Sequence, residues 1–325
     1  MYKVGVIGCG WVGLAHGSGY KLLQDCEIVG SADPVKELSQ HFAAKYGGRI
    51  YKSMNDLIDK EKPDIISVCT PPSSHYPVIK TALSRGIKNI VCEKPLAHNT
   101  ADARKIVRAI KESSAKLMTA FCHRFIFPVM KMRWMIDSGE LGDIVFFRNE
   151  FSSHFKGVED RWFSKKEISG GGSMMDTSVH SIDLFRFLCG EVKNVSARIT
   201  QKMPGISVED SCCVLVQSEK GAMGIIEASW NLGVGSAFLE VCGTKGRVQY
   251  EYWGEFRVRH EGDKEWKTIP VERDINRRFE DELHHFIRVL KGEEELRCSG
   301  DDGLRANQII QAAYESVKQQ KWVEV

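Results

Sequence analysis

Three groups of residues carry the types and spacing of a reactive site. Gly8-Cys9-Gly10-Trp11-Val12-Gly13 fits G-x-G-x-x-G, in which the first glycine permits a tight turn, the second lets a pyrophosphate approach the backbone and the third lets helix and strand pack closely. Asp33 stands twenty residues after Gly13. At that distance a carboxylate can accept hydrogen bonds from adenosine ribose hydroxyls and repel the extra phosphate of NADP, which favours NAD, although Lys36 lies close enough to soften the repulsion. Asp176 and His180 follow the triple glycine Gly170 to Gly172 at a spacing of four, which puts both side chains on one face of a helix where a hydroxyl could bridge them. Imidazole titrates near neutral pH, so His180 suits proton transfer with such a hydroxyl, with Asp176 orienting the ring or a neighbouring hydroxyl. Taken alone, an Asp and His so spaced are more often a helix-surface pair. No third ligand stands at a recognisable spacing, so no metal is expected.

The elements that must position these residues are legible as patterns. Short β-branched runs at Lys3 to Ile7, Glu27 to Ala32, Asp64 to Cys69, Asn89 to Cys92 and Leu117 to Phe121 alternate with helix-period segments, the pattern of a parallel sheet covered on both faces. The helix after the glycine turn contains Gly17 and Gly19, which cost helix propensity. Beyond Phe121 come a helix from about Pro128 to Ser138, a strand from Ile144 to Phe151, an irregular basic and aromatic stretch to Ser169, and a helix after the glycines. Runs at Val192 to Gln201, Ser211 to Gln217, Ala222 to Trp230, Phe238 to Cys242 and Arg247 to Tyr250 follow without intervening helices, which implies a mostly antiparallel sheet. Helices near Ile275 to Lys291 and Gly303 to Lys318 close the chain. The expected architecture is therefore an α/β doubly wound Rossmann domain over residues 1–121 and an α+β domain with a mostly antiparallel open sheet over 122–325, the latter serving substrate binding and oligomerisation.

Composition excludes several classes of partner. The 325 residues suit two domains. Forty-five Lys and Arg against forty-three Asp and Glu leave a net charge of +2 with no long block of one sign, so neither nucleic acid nor a membrane surface is an expected partner. The ten cysteines form no C-x-x-C pair and sit mostly in apolar runs, as buried, reduced thiols do. No leader peptide or membrane-spanning run is visible, and a cytoplasmic protein is expected.

Cys92-Glu93-Lys94-Pro95-Leu96 ends a strand at the carboxyl edge of the parallel sheet, the edge where open α/β folds bind ligands. Together with Thr70-Pro71-Pro72-Ser73-Ser74-His75 and the run from Gly172 through Asp176 and His180 to Asp183, it resembles the glucose-fructose oxidoreductase, inositol dehydrogenase and rhizopine-catabolism (Gfo/Idh/MocA) family over nearly the whole chain. The resemblance implies that Lys94 touches both substrate and nicotinamide and that Asp176 and His180 complete the catalytic group. It places Thr70, Pro71, His75 and Glu93 among the cofactor contacts beside Gly8, Gly10, Trp11, Val12, Gly13 and Asp33. His123 and Arg124 correspond to a segment entering the active site. Trp162 either walls the sugar or packs under a loop, and Lys156, Lys165 and Lys166 are read as solvated. Ser178 stands where the family often has glycine, which bears on substrate shape. The family's glucose-fructose oxidoreductase has an N-terminal arm and this sequence shows none, so exchangeable NAD is expected.

The implied reaction is hydride transfer between NAD and a secondary hydroxyl, or ketone, of a sugar, sugar derivative or inositol. Either His180 or a desolvated, neutral Lys94 serves as the base; a charged Lys94 would instead stabilise alkoxide character. Two alternatives use the same fold: a redox-neutral NAD-dependent glycoside-cleaving enzyme, and a non-catalytic NAD(H) sensor, against which Lys94, Asp176 and His180 all count. An open antiparallel sheet has one face on its helices and one free to cover another subunit, so a homodimer or homotetramer is expected.

Overall fold

Val4 to Ile7 are all buried in strand β1 (Tyr2–Ile7), as a central strand covered on both faces requires. The computed structural model describes residues 1–271 and 274–325. After β1 come α1 (Trp11–Leu22), β2 (Cys26–Ala32), α2 (Lys36–Tyr46), β3 (Arg49–Tyr51), α3 (Met54–Glu61), β4 (Ile65–Val68), α4 (His75–Ser84), β5 (Asn89–Glu93), α5 (Thr100–Glu112) and β6 (Lys116–Ala120). Then follow α6 (Phe127–Asp137), β7 (Ile144–His154), α7 (Lys166–Ser169), α8 (Ser173–Asp176), α9 (Ser178–Cys189), β8 (Val192–Thr200), β9 (Ser211–Ser218), β10 (Met223–Ser229), β11 (Asn231–Gly243), β12 (Gly246–Glu251), β13 (Phe256–His260), β14 (Lys267–Thr268), α10 (Arg278–Lys291), α11 (Gly300–Gln319) and β15 (Val323–Glu324). Chain contacts divide these into two units, residues 1–122 with 277–305 and residues 123–276 with 306–325.

In the first unit the strands run in the order β3-β2-β1-β4-β5-β6, all parallel, which is the Rossmann topology. The order reverses between β1 and β4, where Ile7 pairs with Val68, so the turns after these two strands open into one crevice. Helices start where side chains can satisfy the free N–H groups: the Ser53 hydroxyl accepts from the Asp56 N–H at the head of α3, and the Asn99 amide oxygen accepts from the Asp102 N–H at the head of α5. Ile66, Ile79, Ile90, Ile106 and Leu117 fill the core on one face of the sheet.

α10 departs from the sequence reading, which placed it in the second domain. It belongs to the first unit and packs across α1. The reason lies in Gly19: a Cβ there would stand 2.8 Å from Leu283 Cδ1 and 3.3 Å from the Glu280 backbone. Gly19 therefore exchanges helix propensity for close helix contact, an exchange that local sequence cannot reveal.

The second unit is built on a sheet of order β14-β13-β12-β11-β7-β10-β9-β8-β15, antiparallel throughout except where β10 runs parallel to β7. Its inner face meets α9 through Phe185, edge-on to Phe147. Its outer face leaves Phe146, Leu215, Met223 and Ile225 exposed on neighbouring strands. β13, β14 and β15 extend the sheet beyond the strands read from the sequence. The ten cysteines are free thiols. Among the described residues, no helix is long and apolar enough to cross a membrane.

Candidate active site

The glycine turn passes a test of what each glycine is for. Gly8 has φ +91°, and a Cβ on it would stand 2.5 Å from the Cys69 carbonyl oxygen; one on Gly13 would stand 2.1 Å from the Gly8 oxygen. The protein's own backbone thus requires both. A Cβ on Gly10 would meet nothing within 4 Å, so the fold leaves that position open, as approach of a pyrophosphate needs. No side chain caps α1 and no acidic residue lies in its first turn, which leaves its first N–H groups for an anion. Trp11 is 69% exposed beside this turn and meets Phe279 edge-on, and Val12 is half-buried. The Asp33 carboxylate accepts from the Cys9 N–H at 2.7 Å and the Val35 N–H at 2.8 Å. It braces the turn while each oxygen keeps a lone pair for a ribose hydroxyl. Across the crevice, Thr70 Oγ1 is buried without a hydrogen-bond partner among the described residues, beside a half-buried Pro71. These features fit NAD.

Two residues expected to touch the cofactor are placed otherwise. His75 is fully buried, with Nε2 2.8 Å from the Thr70 carbonyl oxygen and Nδ1 3.2 Å from that of Leu96. It ties the Thr70-Pro71 turn to the segment after Lys94 and has no surface for a ligand; burial holds its pKa below the usual imidazole range. Glu93 ends β5 and is 6% exposed. Its Oε1 lies 3.0 Å from His16 Nε2 and its Oε2 accepts from the Lys94 N–H at 3.1 Å, so the carboxylate holds the chain in place and does not face outward. Lys94 itself is half-buried at the carboxyl end of the strand, before a cis peptide bond to Pro95. His16, absent from the sequence reading, is the main addition here.

In the second unit the residues after the triple glycine are held by Glu209. Its Oε1 accepts from the Gly172 and Met174 N–H groups, both at 3.0 Å, and from the Tyr314 hydroxyl at 2.8 Å. A Cβ on Gly172 would stand 1.8 Å from the Glu209 carbonyl oxygen, so glycine is required for this approach. Burial raises the Glu209 pKa despite these donors. The expected single helix is divided at Thr177: Asp176 closes α8 and His180 lies in the first turn of α9. Thr177 keeps φ −93° and ψ −52°, so the chain stays right-handed through the break. Its hydroxyl lies 3.5 Å from Asp176 Oδ2 and accepts from Trp230 Nε1 at 3.0 Å. Thr177 and Trp230 are thus neighbours of Asp176 that spacing alone did not mark.

His180 and His123 come together, their rings stacked 4.1 Å apart and 11° from parallel. Phe151 and Tyr252 flank His123 at 5.2 and 5.6 Å. Both histidines are half-buried. Arg124, expected at the substrate, is corrected by the structure: it is 4% exposed, and its Nε and Nη2 donate to Asp183 Oδ2 and Oδ1 at 2.7 and 2.5 Å. A bidentate pair so enclosed fixes the segment beside His123 to α9. Ser178, read as bearing on substrate shape, is buried, with its hydroxyl 3.2 Å from Cys212 Sγ, and packs against the sheet. Trp162 stacks on Phe163 at 3.7 Å and stays half-exposed. Lys156, Lys165 and Lys166 are exposed.

Comparison with known proteins agrees over the whole length. The chain is 25% identical to the myo-inositol 2-dehydrogenase of Thermotoga maritima, covering 99% of this chain and 98% of that one. It is 27% identical to the D-glucoside 3-dehydrogenase of Escherichia coli, covering 99% and 97%. Among solved structures, levoglucosan dehydrogenase in complex with NADH and levoglucosan shares the fold with a TM-score of 0.92 at 24% identity, covering 100% of this chain and 99% of that one. Residues 2–121 match the family model of the NAD-binding Rossmann fold oxidoreductases, residues 129–249 match that of the GFO/IDH/MocA C-terminal domain, and the chain belongs to this GFO/IDH/MocA family.

Proposed function

We propose that this chain is an NAD-dependent dehydrogenase that oxidises one secondary hydroxyl of a sugar, sugar derivative or inositol to a ketone, or reduces that ketone. The observation that carries the reading is end-to-end similarity to dehydrogenases of inositol and of a glucoside, over 99% of this chain in each case. Bound NAD supplies the hydride acceptor. Gly8, Gly10, Trp11, Val12, Gly13 and Asp33 hold its adenosine and pyrophosphate, and Thr70, Pro71 and Lys94 lie along its nicotinamide half. Asp33 favours NAD over NADP by its charge.

His180 accepts the hydroxyl proton as the C–H bond gives up its hydride, with Asp176 orienting the hydroxyl. Lys94 hydrogen-bonds the reacting oxygen and stabilises its developing charge. His123, stacked on His180, borders the substrate, and the exposed part of Trp162 walls it. The same reading places the protein in the cytoplasm as a homodimer or homotetramer, assembled through the sheet face that exposes Phe146, Leu215, Met223 and Ile225.

The experiment is NADH formation by purified protein with NAD or NADP and a panel of inositols, aldoses, glycosides and uronic acids, with Lys94→Ala in parallel. NADH appearing with one substrate group, and falling about a hundred- to thousand-fold in the variant, establishes the activity. No net NADH across the panel, with NAD binding demonstrated, overturns net oxidation and points to the redox-neutral or sensing use of the fold.

A further inference from the structure

We infer that His16 is a positioning residue for Lys94, acting through Glu93 from the helix that begins at the dinucleotide turn. His16 lies three residues after Gly13 in α1 and has no exposed surface. Its Nε2 donates to Glu93 Oε1 at 3.0 Å and its Nδ1 lies 2.7 Å from Ser67 Oγ, on β4. A second carboxyl, Glu282 on α10, brings Oε1 to 3.9 Å from the same Nε2, and neither of its oxygens has a hydrogen-bond partner among the described residues. The imidazole therefore sits where β4, β5, α1 and α10 converge. Glu93 is the element it acts on: one carboxylate oxygen is held by His16 and the other holds the Lys94 N–H.

Two features separate this from a packed core histidine. Both ring nitrogens are engaged, one by a carboxylate, and the ring has no exposed surface, so removing it takes from Glu93 Oε1 the partner it holds there. And the freed carboxylate would belong to the residue that precedes Lys94, not to a remote part of the core. This inference rests on the reading of Lys94 as the lysine that meets the substrate.

The test is amide hydrogen exchange over residues 89–99 in the full chain without NAD or substrate, a measurement that does not depend on the assigned activity. His16→Leu removes ring and charge, and His16→Gln restores a donor. Exchange at the Lys94 N–H is expected to rise about tenfold or more in His16→Leu, with His16→Gln between it and the parent and with exchange over residues 100–112 unchanged. In turnover assays His16→Leu should lower kcat more than it raises the KM for NAD, and His16→Gln should recover much of the loss. Unchanged exchange at Lys94 in folded His16→Leu overturns the inference. Should that variant fail to fold, unchanged exchange in both His16→Gln and Ser67→Ala does the same. Altered exchange together with no net NADH from the parent would sustain the positioning role and reject only the proposed reaction.

Discussion

Each unit keeps a buried ion pair beside its candidate catalytic residue, and the two pairs differ in whether they can discharge. In the first unit His16 faces Glu93, the neighbour of Lys94; in the second Arg124, the neighbour of His123, faces Asp183, three residues from His180. Both fix the backbone next to a candidate site residue. Guanidinium keeps its charge at any working pH, so the second pair is permanent. Imidazole can lose its proton, so the first pair exists only over a range of pH.

The largest expected effect comes from breaking the permanent pair. Asp183→Ala leaves Arg124 charged and enclosed, and should cost about 3–5 kcal/mol of stability by denaturant unfolding. Glu93→Gln leaves His16 free to shed its proton, and should cost less than half as much near neutral pH. Equal losses would show that the capacity to discharge makes no difference.

A smaller effect should appear as a function of pH. Burial alone would lower the His16 pKa, but Cys69 and Glu93 beside it prevail and raise it from 6.5 to about 10. The folded state then holds a proton that the unfolded chain releases, so the stability from charged His16 is full below 6.5 and disappears as pH rises toward 10. His75 has the opposite sign: burial lowers its pKa from 6.5, so its contribution is present above that value and is lost as pH falls below it. Melting temperature should therefore decline on both sides of neutrality, and His16→Gln should flatten only the alkaline side. A parallel decline in parent and variant would remove His16 from the account.

The smallest stability effect belongs to Gly10→Ala. Open space at its Cβ position predicts a change within about 0.5 kcal/mol in melting or denaturant unfolding, while NAD binding by calorimetry should weaken markedly. Strong destabilisation would mean that Gly10 serves the fold, as Gly8 and Gly13 do.

What was legible in the sequence followed the range of the interactions. The glycine turn and Asp33 are local, and five of the six parallel strands announce themselves as apolar runs, so most of the Rossmann sheet and its dinucleotide turn can be read directly; the short edge strand β3, exposed at Arg49 and Ile50, shows no such run. His16 could not, since Glu93 is 77 residues away and a single histidine in a glycine-interrupted helix has no pattern. The Arg124–Asp183 pair spans 59 residues, and without it Arg124 reads as a cation free to meet a substrate. By sequence Glu93 and His75 read as ligand contacts; their role in holding the chain depends on partners that only folding supplies. The break at Thr177 escaped because spacing gives the periodicity of a helix and not its continuity.

The return of α10 to α1 has a consequence for how the protein is made. All the strands of the first sheet have been synthesised by residue 120, but the helix that covers Gly19 and places Glu282 beside His16 ends at residue 291. At about 5–20 residues per second, the ribosome needs roughly ten seconds or more to supply it. During that interval the nascent chain carries a complete set of parallel strands with one flank of α1 uncovered. A fragment ending at residue 122 would lack that cover altogether, since residues 277–305 complete the first unit.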